Sequence, residues 1–243
     1  MKTILLFLLM LVTSSIQAQP TWAVFGTSIE YGAGCSNYNT KPWPIQFKIK
    51  LGLLNKPIII KNYGKIGATY CWSNNRIAMN KTQVQGASVI ILGGPTNDAA
   101  FANMGWANIT FKERYQGWID SIKTWNPDAK IICMTAIKVG VTQYISQTNI
   151  DLRNEQVRFL ANINNCIVWS TDQLDIIPYL SDGIHCNDAG YEMIANLAIK
   201  ELIHEQITVK TVEVEEPFTE YFIPLFQGAK LKVTRNSKQL VKY

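Results

Sequence analysis

Two histidines occur in the 243-residue chain, and their settings differ sharply. His185 lies in SDGIHCNDAGY, three residues after Asp182 and just ahead of a helical stretch. With that spacing a carboxylate can reach the imidazole Nδ1–H, fix the tautomer and leave Nε2 free to take a proton. His204, in KELIHEQ, reads instead as a helix-end histidine, where a cation suits the helix dipole. A proton acceptor of the first kind has use for a weak nucleophile. Ser28 in FGTSIEYG sits where an apolar run ends in Gly26, and a serine hydroxyl needs a neighbouring base to attack anything.

Attack on an ester carbonyl also needs donors aimed at the oxygen that becomes negative. Two loops offer them. NYGKIGA (62–68) contains Gly64 and Gly67, either of which lets a backbone N–H approach a substrate closely, and GGPTND (93–98) contains the Asn97 amide. Taken singly, a serine after a strand, a glycine in a loop and an asparagine in a turn are ordinary turn chemistry. Only their conjunction with D-x-x-H suggests a site.

These residues need a scaffold that gathers them at one end. Nearly continuous Val/Ile/Ala runs at 21–28, 57–64, 87–94, 129–137 and 165–172 alternate with helical stretches at 43–54, 74–84, 111–125 and 147–162. A last helix starts near Asn187 or Asp188 and closes the domain at about Gln206. This rhythm predicts an α/β fold with a five-stranded parallel sheet covered on both faces, and in such sheets ligands bind beyond the carboxyl ends of the strands. From Ile207 the pattern turns to alternation, predicting a short β-rich extension over 207–243 of no assigned role.

Four blocks in this order, the GTS serine, the N-x-G-x-x-G loop, the TND asparagine and the final D-x-x-H, resemble the SGNH (GDSL-like) hydrolase superfamily over about residues 21–206. The resemblance implies a three-layer α/β/α flavodoxin-like sandwich, Ser28 as nucleophile, and a triad completed by Asp182 and His185. It implies an oxyanion hole made from the Ser28 N–H, Gly67 and Asn97, and no metal or organic cofactor. Two positions depart from the pattern: Thr27 stands where the family usually has Asp, and Pro95 where it usually has Gly. Among other readings, an α/β-hydrolase elbow needs G-x-S-x-G, but Glu30 occupies the second glycine position. A metal site on Asp182, His185, Cys186 and Asp188 finds no second ligand cluster, and no phosphate-binding glycine motif is present.

Composition sets the remaining expectations. A chain 47% hydrophobic and 17% charged can build one compact domain. MKTILLFLLMLVTSSIQA reads as a secretory signal peptide over 1–18, which predicts a secreted or periplasmic protein without a stable membrane anchor. The net charge of +5 is scattered and densest in the tail, and no nucleic-acid module is recognisable. Five cysteines leave at least one unpaired; Cys35 and Cys71, each after a glycine-rich loop, are the expected disulfide, and Cys133 reads as a buried hydrophobe. Trp72, Trp106, Tyr31 and Tyr70 lie near the motif loops and suggest a platform for a sugar ring. The expected substrate is a small-molecule or polysaccharide ester, with carbohydrate O-acetyl groups favoured. A lysophospholipase or short-chain acyl esterase is the alternative, and a glycan-binding module on the same scaffold the alternative of another class.

Overall fold

The computed structural model describes residues 19–71, 77–100, 108–209, 221–224 and 230–233. Five strands, β1 (Thr21–Gly26), β2 (Ile59–Gly64), β3 (Val89–Leu92), β4 (Lys130–Met134) and β5 (Ile167–Trp169), form one parallel sheet in the order β2-β1-β3-β4-β5. That is the flavodoxin-like order, and its switch point lies between β1 and β3. Sheets of this order bind ligands beyond the strand ends near the switch point, here past Gly26, Gly64 and Leu92, which Ser28, Gly67 and Asn97 follow.

The strands are apolar on both faces because both are covered. Trp22, Val24, Ile91, Ile132 and Met134 face one core with α2 (Trp43–Leu53) and α7 (Asp188–Val209). Ala23, Phe25, Ile90, Leu92 and Cys133 face the other, packed by α3 (Lys81–Gln85), α5 (Asn108–Trp125) and α6 (Gln147–Ile163). Alternate residues of one strand thus enter different cores, as the two-residue side-chain period requires. Two short helices complete the crevice end: α1 (Ser28–Tyr31) after β1 and α4 (Thr96–Ala100) after β3.

Several boundaries differ from expectation for local reasons. Of the helix expected over 74–84, residues 72–76 lie outside the described residues and α3 begins only at Lys81, where Asn80 and Gln83 make a reciprocal capping box. The last helix runs to Val209, carrying the β-branched Ile207, Thr208 and Val209 beyond the expected stop at Gln206. An established helix propagates cheaply into residues of weak helix propensity. Within the expected β-rich extension, β6 (Tyr221–Pro224) and β7 (Lys230–Val233) pair antiparallel. Among the described residues, no helix is long and apolar enough to cross a membrane.

The expected Cys35–Cys71 disulfide is not formed, and none of the five cysteines is in a disulfide. Each has its own surroundings: the Cys71 amide donates to Asp98 at 3.1 Å, while Cys35 is buried in the core under α2 and α7. Both do follow loops at the crevice end, but a shared end of a sheet does not bring two Cβ atoms within bonding reach.

Candidate active site

β1 delivers the chain into a capping box. Thr27 is the N-cap of α1, and the buried Glu30 carboxylate accepts from the Thr27 amide at 2.7 Å and its hydroxyl at 3.2 Å. The T-x-x-E spacing carries this device in the sequence. Ser28 is thereby the first residue of the helix, almost fully buried at 2% exposure. Burial pushes the Glu30 carboxyl above its ordinary range, against hydrogen bonds from Thr27, its own amide and Gly94.

The D-x-x-H segment reaches Ser28 from the far end of the chain. His185 Nε2 lies 2.9 Å from Ser28 Oγ, and His185 Nδ1 lies 2.6 Å from Asp182 Oδ2. The other carboxylate oxygen, Oδ1, accepts the backbone N–H groups of Ile184 at 3.0 Å and His185 at 2.7 Å. One side chain thus shapes the turn and orients the ring. Burial pushes the Asp182 carboxyl up, but the bonds from the His185 ring and from the His185 and Ile184 amides outweigh it and leave the carboxyl below its ordinary range. An imidazole held this way can accept the Ser28 proton through Nε2, with the resulting cation beside a carboxylate.

The loop after α1 is fastened to the same segment. Tyr191 Oη donates to the Ala33 carbonyl at 2.6 Å, and the Ser36 amide and hydroxyl donate to Asp188 at 2.8 and 2.6 Å. Gly34, at φ +91°, leaves no room for a side chain: a Cβ would stand 2.8 Å from the Cys186 carbonyl oxygen and 3.1 Å from His185 Cβ. On the other side the Gly140 amide donates to the Gly183 carbonyl at 2.7 Å.

The two donor loops meet at the ends of β2 and β3. Gly67 has φ +70°, a conformation that favours glycine, and is exposed. Asn97, partly buried, donates its amide to the Ala68 carbonyl at 2.9 Å, so the structure brings the asparagine block and the Gly67 loop together despite Pro95. A side-chain amide carries two N–H groups, and Ala68 takes one of them. Gly64 serves a different end from the turn that its place in a loop suggests. It has no positive φ and is a point of close approach to the backbone of Glu30 and Tyr31.

Of the expected aromatic platform, Tyr70 is withdrawn: it is fully buried, its hydroxyl donating to the Gly93 carbonyl at 2.6 Å within an aromatic cluster with Phe111, Tyr115 and Trp118. Trp72 and Trp106 lie outside the described residues. Tyr31 is exposed and pairs with Tyr38, which sequence reading did not single out, at 5.3 Å between ring centroids. Sequence reading gave no role to the buried Asp98, the last residue of the TND block, and passed over the buried Arg153, which carries no local motif.

Residues 24–193 match the model of the GDSL-like lipase/acylhydrolase family. None of the curated proteins matches the chain. Among solved structures, a lipase/acylhydrolase from Enterococcus faecalis is 17% identical, with 77% of this chain and 97% of that one covered at a TM-score of 0.63. An acetyl xylan esterase, AlAXEase, is 18% identical, with 74% and 98% covered at a TM-score of 0.56. A peptidoglycan O-acetylesterase is 19% identical, with 62% and 47% covered at a TM-score of 0.51. At these identities the likeness is one of fold.

Proposed function

The chain belongs to the GDSL-like lipase/acylhydrolase family and is a hydrolase acting on esters, and from that premise we propose that it is an exported serine esterase removing acetyl groups from carbohydrate. The observation that carries the reading is the continuous relay from Ser28 Oγ through His185 to Asp182, at 2.9 and 2.6 Å. In the proposed cycle His185 takes the Ser28 proton as Oγ attacks the ester carbonyl. The tetrahedral oxyanion is held by the Ser28 and Gly67 amides and the Asn97 side chain. Protonated His185 gives its proton to the leaving alcohol, leaving an acyl-Ser28 ester, and then activates the water that hydrolyses it. Asp182 keeps the ring oriented and stabilises the imidazolium throughout.

Two features favour carbohydrate. Tyr31, three residues from the nucleophile on α1, forms with Tyr38 an exposed aromatic pair of the sort that supports a sugar ring. Similar folds include enzymes named for acetylated xylan and for peptidoglycan O-acetyl groups. The likeness to a lipase/acylhydrolase favours a second reading, a short-chain acyl esterase or lysophospholipase. Export rests on the N-terminal segment 1–18, which lies outside the described residues.

The test is hydrolysis of p-nitrophenyl acetate and longer acyl esters, with acetate release from acetylated xylan, by the mature protein and its Ser28→Ala variant. Turnover that depends on Ser28 and favours acetyl supports the proposal, and a preference for long chains moves it to the acyl esterase. Activity that survives Ser28→Ala overturns the nucleophile. No turnover on any substrate, together with retention on a polysaccharide column, supports a glycan-binding module.

A further inference from the structure

A buried carboxylate outside the proposed relay joins the two donor loops. Asp98 directly follows Asn97 on α4 and is 3% exposed. Its Oδ1 accepts the Tyr70 amide at 3.1 Å and the Cys71 amide at 3.1 Å, and Oδ2 accepts the Tyr70 amide at 3.0 Å. The Cys71 thiol bonds to the same carboxylate. Neighbouring residues on one short helix thus hold the segment just after Gly67 at two places, Asn97 at the Ala68 carbonyl and Asp98 at the amides of Tyr70 and Cys71.

From behind, Asp98 is backed by α6. Arg153, 2% exposed, donates Nε to the Asp98 carbonyl at 3.3 Å and Nη1 to Gln156 at 2.8 Å, while its guanidinium lies 5.0 Å over the Phe111 ring. A carboxylate suits this place because it offers only acceptors to consecutive N–H groups; an asparagine would turn an NH2 toward one of them. Burial raises the Asp98 carboxyl to about 6, against the bonds from Tyr70 and Cys71 and the charge of Arg153, so at neutral pH it is predominantly the acceptor that the amides need.

We propose that Asp98 is a positioning residue for oxyanion stabilisation, its carboxylate clamping residues 68–71 to α4 and so fixing the Gly67 amide relative to the Asn97 side chain. The inference rests on the esterase reading and on the donor roles given there to Gly67 and Asn97. A misplacement of about an ångström in such a group costs on the order of 10²-fold in rate, so the clamp acts on turnover rather than on binding of the ground state.

The experiment measures kcat and KM on p-nitrophenyl acetate for Asp98→Asn in the wild-type and Asn97→Ala backgrounds. In the wild-type background kcat is expected to fall about 10- to 100-fold with KM changed less than about twofold. In the Asn97→Ala background the further loss is expected to be under about threefold, because the alignment of the Gly67 amide with the Asn97 side chain, which the clamp maintains, is already broken. An unchanged kcat, or an equal loss in both backgrounds, overturns the proposal. Should Asp98→Asn not fold, Arg153→Lys, which keeps the charge but not the Nε bond, is expected to lower kcat several-fold at constant KM; a folded variant with wild-type kcat overturns it equally. Absence of Ser28-dependent turnover in the wild type would remove the esterase reading but not the clamp, which amide exchange reads directly. Tyr70 and Cys71 amides should exchange at least about tenfold faster in Asp98→Asn or Arg153→Lys, and equal rates overturn the clamp.

Discussion

Gly64 stands so close to the helix bearing Ser28 that a methyl group on its Cα would lie 2.4 Å from the backbone nitrogen of Tyr31. The same methyl would meet the Glu30 carbonyl carbon at 2.7 Å, so the obstruction is main chain and cannot swing aside as a side chain does. Beside it, the Asn62 amide donates to the Glu30 carbonyl at 2.6 Å, binding the end of β2 to α1.

Gly64→Ala is therefore expected to push α1 away from β2. Overpacking of this kind costs about 1–3 kcal/mol, read as a lower urea midpoint at unchanged slope, and kcat should fall with it as Ser28 leaves His185. Wild-type stability and kcat in the variant would contradict the close approach.

Asp182→Asn removes the acceptor of the ring N–H while leaving a side chain of the same size. A loss of about 10³- to 10⁴-fold in kcat with little change in KM is expected from steady-state kinetics. A loss of tenfold or less would mean that the backbone bonds around His185 orient the ring without the carboxylate.

Asn97→Ala deletes one proposed donor and the bond to Ala68. Removing such a donor typically costs about 10²- to 10³-fold in kcat, and a transition-state-like phosphonate should label Ser28 correspondingly more slowly. Equal labelling rates in variant and wild type would take Asn97 out of the oxyanion hole.

Asp98 also makes stability depend on pH in a defined direction. Its carboxyl is raised from 3.8 to about 6 in the folded protein, so between those values the folded chain holds a proton that the unfolded chain has released. Folding stability from this group is thus complete below about pH 4 and falls as pH rises to about 6, by roughly 3 kcal/mol in all. Urea midpoints of wild type and Asp98→Asn between pH 4 and 7 should diverge accordingly; Glu30, shifted in the same direction, is common to both and cancels. Parallel profiles would refute the shift.

The layers and the Asp182–His185 pair were legible in the sequence because each is written locally, whereas the pairing of Ser28 with His185 was expected only from the resemblance of four separated blocks. Continuous apolar runs announce strands covered on both faces, and D-x-x-H spans a single turn in which Asp182 bonds the amide and ring of His185. What escaped is chemistry between distant segments. Tyr70 resembles any loop tyrosine until α5 packs over it, and Asp98 resembles a turn aspartate until the Tyr70 and Cys71 amides arrive from another loop. The Cys35–Cys71 expectation failed for the same reason, since two loops at one end of a sheet need not bring their thiols together.

The fastening of the loop after α1 to the start of α7, through Ala33 with Tyr191 and Ser36 with Asp188, spans more than 150 residues of sequence. Closure over so long an interval comes late, since the entropy of closing it must be met before its contacts form. A chain still emerging from the ribosome therefore has its serine but no imidazole to address it. The relay spans the same interval, since Ser28 lies before the fastened loop and His185 just ahead of the last helix, so its two halves are the last parts of the domain that synthesis can bring together.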